Sequence, residues 1–215
     1  MPDADGAIAR QRATAARGVL SSLPVALAIW AGVLLLMPPV ADSGDLVLRL
    51  VFAIKCCCVA VLLCFLTGIE AVAHERLVSP AIDPLAGHET RRMKINLRYL
   101  QNTLEQLLVF IPGLLALAAY CADGSEMRVV VAATIVWIVA RLAFWIGYHR
   151  GSAHRGAGVV GMAQSMLVLL YVCARFGYEI AGMAGAVALI AWFGVMEAYL
   201  VYVIVYVDRA SRLES

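Results

Sequence analysis

Long apolar runs separated by short polar breaks set the pattern of this chain. Residues 1–18 are polar and carry Arg10, Arg12 and Arg17, and the apolar run 19–37 that follows is long enough to cross a bilayer. It is longer than a usual signal-peptide core and no small-x-small cleavage site follows it, so it reads as a retained anchor. The breaker MPPVADSGD (37–45) precedes a second run, 46–73, which carries Lys55 and Glu70. A hydrophilic connection, 74–92, leads to a third run over 93–120, where Pro112-Gly113 predicts a kink. ADGSEM (122–127) turns the chain into a fourth run, 129–148, and the basic segment HRGSAHRG (149–156) into a fifth, 157–174. RFGYE (175–179) then connects to a sixth, 180–207, ahead of the polar tail DRASRLES (208–215).

Composition agrees with six helical membrane spans. Of the 215 residues 63% are hydrophobic and 15% charged, with a mean hydropathy of +0.85, whereas soluble domains carry about 25% charged residues. The chain therefore reads as an all-α integral membrane protein in contact with the lipid bilayer. Its net charge of +2 says nothing about nucleic acid, and no nucleic-acid partner is expected. The six cysteines, Cys56, Cys57, Cys58, Cys64, Cys121 and Cys173, lie in or beside apolar runs without paired C-x-x-C spacing. They read as small hydrophobes, and no metal site is expected.

Loop charges test the span count independently. Arg10, Arg12, Arg17, Arg76, Arg91, Arg92, Lys94, Arg150, Arg155, Arg209 and Arg212 all fall on one side. The other side has Arg49, Arg128 and Arg175, mixed with Asp42, Asp45, Asp123, Glu126 and Glu179. By the positive-inside rule both termini are cytoplasmic.

Candidate chemistry concentrates in KINLRYLQNTLEQ (94–106). Wound as a helix, Arg98, Gln101, Asn102 and Glu105 fall at i, i+3, i+4 and i+7, a polar stripe on one face. Ionisable side chains in a membrane helix are costly and usually face a partner, a cavity or a ligand. The fourth run has its own stripe at the same spacing, Arg141, Phe144, Trp145 and Tyr148. Glu105 lies seven residues past Arg98 and Arg141 seven before Tyr148, each a step of ~10 Å along its helix. Matching depth predicts an ion pair between Glu105 and Arg141. With His154 and Arg155 from the adjoining loop, the two faces would enclose a polar pocket open to the cytoplasm. The bland reading of the same residues is a buried network that fixes helix register. Lys55 reads as structural, Glu197 has no assigned role, and the Gly/Ala segments GAGVVGMAQS and AGMAGAVA read as close helix packing.

The pattern Arg98-x-x-x-Asn102-x-x-Glu105, followed by Ala140-Arg141-x-x-Phe144-x-x-Gly147-Tyr148 and a basic loop with Arg155, resembles the MAPEG family, the membrane-associated proteins of eicosanoid and glutathione metabolism. The resemblance covers residues 46–174, four of the six spans, and leaves 19–40 and 180–207 as an extra N-terminal and an extra C-terminal helix. It implies a four-helix membrane bundle that assembles as a homotrimer and binds glutathione between subunits near the cytoplasmic side. It makes Arg98, Gln101, Asn102, Glu105, Arg141 and, more loosely, Arg76 the glutathione-binding residues, with Arg155 activating the sulfur and Tyr148 lining the site. The sequence departs from the family where Gln106-Leu107-Leu108 follows Glu105, where Phe144 replaces a tyrosine of some members, and where Gly156 follows Arg155 in place of a serine. The last departure argues against the prostaglandin isomerase activity. The implied function is a glutathione-dependent transferase or peroxidase acting on lipophilic electrophiles or hydroperoxides in a bacterial inner or plasma membrane. The alternatives are a non-catalytic protein keeping the bundle as a scaffold, and a small transporter.

Overall fold

The computed structural model describes residues 3–41 and 43–213. Asp42, counted above among the acidic loop residues, and Glu214 and Ser215 of the expected tail lie outside the described residues, as do Met1 and Pro2. The chain forms two units, Met1–Met166 and Leu167–Ser215.

Within the first unit α1 spans Asp3–Leu36 and α2 spans Leu46–Ala60, which a π-helical turn, Val61–Leu66, joins to α3, Thr67–Val78. A short 3-10 turn, Pro80–Ile82, precedes α4 (Arg91–Tyr120) and α5 (Arg128–Arg150); a second, Ser152–Gly158, leads into α6 (Val159–Leu213). Among the described residues five helical stretches are long and apolar enough to cross a membrane: Ile8–Leu36, Leu46–Val78, Arg91–Tyr120, Arg128–Arg150 and Ser152–Val203. The described residues include no strand. The expected polar tail 1–18 is helical from Asp3, because the alanine-rich segment 3–18 contains no proline to stop the helix. Helix α4 is continuous through Pro112, where the sequence predicts a kink.

Caps and packing explain these elements. The Asp45 side chain accepts from the Val47 amide at the start of α2, and Thr90 Oγ1 from the Met93 amide at the start of α4. Tyr99, Thr103, Leu107, Phe110 and Leu114 form one buried face of α4. On α5 the buried set includes Val130, Ala133, Trp137, Ala140 and Phe144, and Phe110 stacks on Trp137 at 4.7 Å between ring centroids. Lipid tails are as apolar as leucine, so close contact and internal hydrogen bonds hold such helices together. Helix α1 is tied down in this way: Trp30 Nε1 donates to Gln164 Oε1 at 2.8 Å, and Gln164 Nε2 donates to the Ala133 carbonyl at 2.9 Å. Arg128 Nη1 donates to the carbonyls of Leu34 (2.9 Å) and Met37 (3.3 Å) at the far end of α1.

In the second unit α6 is interrupted at Ala181 (φ −135°, ψ 21°) and Gly182 (φ 62°, ψ −149°). A Cβ built on Gly177 would lie 2.8 Å from the Gly185 carbonyl oxygen, whereas eight residues of straight helix advance ~12 Å. The backbone therefore folds back on itself at the interruption. The connection expected at 175–179 is helical, and the break sits at 181–182 because Gly182 adopts a conformation open almost only to glycine. Gly182→Ala should therefore destabilise the protein by about 1–3 kcal/mol. Thermal unfolding in detergent checks this, with a lowered Tm as the expected outcome.

Candidate functional site

Helix α4 carries the polar stripe as the spacing requires. Arg98 Nη1 donates to Gln101 Oε1 at 3.1 Å, Gln101 Nε2 donates to Glu105 Oε1 at 3.1 Å, and Asn102 Nδ2 donates to the Arg98 carbonyl at 2.8 Å. Arg98, Gln101 and Glu105 are exposed and Asn102 is half-buried, so the stripe faces outward from its own bundle. Asn102, Glu105 and Gln106 line a cleft of about 170 Å³ whose other wall includes Met162, Ser165 and Met166 of α6. Gln106 Oε1 is buried with no hydrogen-bond partner among the described residues. Ser165 Oγ donates to the Gly161 carbonyl at 2.9 Å, which leaves its oxygen free to accept. Among the described residues the second Glu105 carboxylate oxygen and most Arg98 guanidinium donors have no hydrogen-bond partner.

Arg141 lies elsewhere. It is 0% exposed, with its guanidinium carbon 4.3 Å from the Phe144 ring centroid and 5.5 Å from that of Tyr99. None of its three nitrogens has a hydrogen-bond partner among the described residues. The expected Glu105–Arg141 ion pair is therefore not formed. Matching depth does not fix azimuth: Glu105 is two residues past Thr103, which is buried on the bundle-facing side of α4, and two residues turn a helix by about 200°. Tyr99, not Glu105, is the α4 residue that meets Arg141. Its hydroxyl donates to the Cys64 carbonyl at 3.0 Å, inside the π-helical turn of Val61–Leu66.

The end of α5 and the following turn bring Tyr148 and Arg155 together. The Arg155 guanidinium carbon lies 5.7 Å from the Tyr148 ring centroid, and Tyr148 meets Phe144 edge-on at 5.6 Å. Arg155 and its neighbour His154 are exposed. A family model describing the MAPEG family matches residues 50–178, more than half of the chain. The chain belongs to the MAPEG family. No curated protein and no solved structure matches it. The family is membrane-bound and includes glutathione transferases and peroxidases.

The matched segment of this MAPEG protein contains both polar stripes and the Arg155 turn, whereas α1 lies wholly outside it. Arg76 lies in a small cleft with Asp83, Glu89 and Leu97. Two networks escaped the sequence reading. Asn96 Oδ1 accepts from Trp145 Nε1 at 3.0 Å and lies 3.0 Å from His149 Nε2, while Glu75 accepts from Thr90 Oγ1 at 2.6 Å and lies 3.4 Å from Arg92 Nε. Asn96, Tyr99 and Thr103 recur at i, i+3 and i+7, a second polar stripe that the same periodicity could have found. All six cysteines are free, and burial pushes the Cys121 thiol up to about 11, far from a neutral-pH thiolate.

The ring contacts of Arg141 lead to a prediction opposite to that of an ion pair. An isolated buried guanidinium carries a desolvation cost that apolar replacements avoid. Arg141→Met should leave the melting temperature unchanged or raise it, by up to roughly 1–4 kcal/mol of stability. Scanning calorimetry of the detergent-solubilised variant checks this; a protein held by a Glu105–Arg141 bridge would instead lose stability.

Proposed function

We propose that this MAPEG protein is a membrane-bound glutathione-dependent transferase or peroxidase that acts on lipophilic electrophiles or hydroperoxides. The observation that carries the reading is the stripe of exposed Arg98, Gln101 and Glu105 with half-buried Asn102, beside a cleft lined by Asn102, Glu105 and Gln106. Glutathione bears two carboxylates and one ammonium. The Arg98 guanidinium suits a carboxylate, and the remaining Glu105 oxygen suits the ammonium. The donor set thus fits a small zwitterion with excess negative charge.

When bound, glutathione supplies a thiol whose ionised form is the nucleophile. Arg155, held over the Tyr148 ring, is the protein's cation for lowering the thiol pKa, and the Tyr148 hydroxyl is a second donor for the sulfur. Arg141 supports this wall indirectly, through Phe144, which contacts both Arg141 and Tyr148. The lipophilic co-substrate reaches the cleft from the bilayer.

The wider arrangement is part of the same proposal. The reversal at Ala181–Gly182 divides α6 into two arms and supports six spans, an even number that places both termini on the cytoplasmic side with the basic loops. The outward orientation of the stripe supports completion of the site by a neighbouring subunit in a homotrimer. A bacterial inner or plasma membrane is the setting proposed.

Purified protein assayed with a chromogenic electrophile and glutathione tests the activity, with thiol-dependent turnover expected. Arg155→Ala should lower kcat by roughly 10²–10³-fold, as loss of one preorganised charge stabiliser does, while calorimetry shows glutathione binding retained. Arg98→Ala should weaken binding by about ten-fold or more, corresponding to one charge-assisted hydrogen bond. Absence of both turnover and binding in the wild-type protein would overturn the proposal.

A further inference from the structure

We propose that α1, the helix outside the family match, is the positioning element that holds the Arg155 turn in place, with Gly18 and Gly156 as its contact residues. The inference rests on the reading of Arg155 given above.

The turn Ser152–Gly158 is gripped from two sides through glycine. On the α5 side, a Cβ on Gly147 would collide with the His154 carbonyl, and one on Gly158 would collide with Phe144 Cβ and lie 3.1 Å from the Ala140 carbonyl oxygen. On the α1 side, a Cβ on Gly156 would collide with the Ala15 carbonyl, and one on Gly18 would lie 3.1 Å from the Ala157 amide nitrogen and 3.3 Å from the Gly156 carbonyl carbon. Backbone therefore meets backbone on both flanks of Arg155. A short turn of this kind, with exposed Ser152, His154 and Arg155, has little other means of being held.

Helix α1 is itself anchored well away from this contact, so it can serve as a fixed abutment. Trp30 is bonded to Gln164, which is bonded in turn to the Ala133 carbonyl of α5. Arg128 at the start of α5 donates to the Leu34 and Met37 carbonyls. The polar segment expected as a tail is helical, which delivers Ala15 and Gly18 to the turn at fixed spacing. The glycine at position 156 is thereby explained: any side chain would strike Ala15. The same helix defines the turn's freedom, and with it the placement of the Arg155 guanidinium over Tyr148.

The test is a graded series in the full-length protein reconstituted in nanodiscs. Gly18→Leu should prise the contact open and Gly18→Ala should disturb it little, since its Cβ needs only a small shift at 3.1 Å. Gly32→Leu on the same helix, where a Cβ meets nothing within 4 Å, is the control. Amide exchange over residues 151–158 should speed up by roughly ten-fold in Gly18→Leu and stay at the wild-type rate in Gly32→Leu. Turnover should fall by roughly 10–100-fold, the response to an ångström-scale misplacement, with the Kd for glutathione unchanged. If Gly18→Leu does not fold, Trp30→Phe, which removes the bond to Gln164 without adding bulk, is read for the same exchange. Wild-type exchange in a folded Gly18→Leu protein overturns the inference. A wild-type protein without glutathione turnover overturns the proposed activity alone, because the exchange result still decides whether α1 holds the turn.

Discussion

Close backbone approach along α5 is the interaction on which the rest of this structure depends. In a bilayer, burying an apolar side chain against another helix gains little over leaving it in lipid, so helices associate where small residues admit contact. Gly147, Gly158 and Gly161 provide that contact: a Cβ on Gly161 would lie 2.7 Å from Ala140 Cβ. Around this seam the larger groups fall into place, with Phe110 stacked on Trp137 and Gln164 bonded to the Ala133 carbonyl. Helix α1 joins the same seam from outside the family segment.

The seam also explains why the polar residues fall into two groups. Those turned toward α5, namely Asn96, Tyr99 and Thr103, are buried and satisfied within the bundle: Asn96 by Trp145 and Ala71, Tyr99 by the Cys64 carbonyl, Thr103 by the Tyr99 carbonyl. Arg141, on α5 itself, is a buried cation whose neighbours include ring faces. Ring quadrupoles attract a desolvated guanidinium by about 2 kcal/mol or more, which goes part of the way toward offsetting its burial. Those turned away, Arg98, Gln101 and Glu105, have side chains that bond to one another and leave charge exposed. A membrane helix that keeps such a face is built to meet a ligand or a partner.

Much of this was legible in the sequence. Apolar runs led to six expected spans where the described residues form five stretches long and apolar enough to cross a membrane, the i, i+3, i+4, i+7 spacing located the stripe, and two spaced motifs led to the family. Three features were not legible, each for a physical reason. The Glu105–Arg141 pairing failed because depth along a helix says nothing about azimuth, and the buried Tyr99–Thr103 face shows which side of α4 meets α5. The reversal was misplaced because a polar RFGYE segment remains a good helix until glycine supplies a positive φ at position 182. The helical character of residues 3–18 was hidden by their charge, although polarity does not oppose helix formation when alanine is abundant.

The central claim is that the outward stripe of α4 is a recognition surface for glutathione. A cryo-EM map of the purified, assembled protein with saturating glutathione tests it most directly. The account predicts tripeptide density against Arg98, Asn102 and Glu105, within reach of Arg155 and Tyr148. Density at some other surface, or a stripe that carries none at saturation, would contradict it.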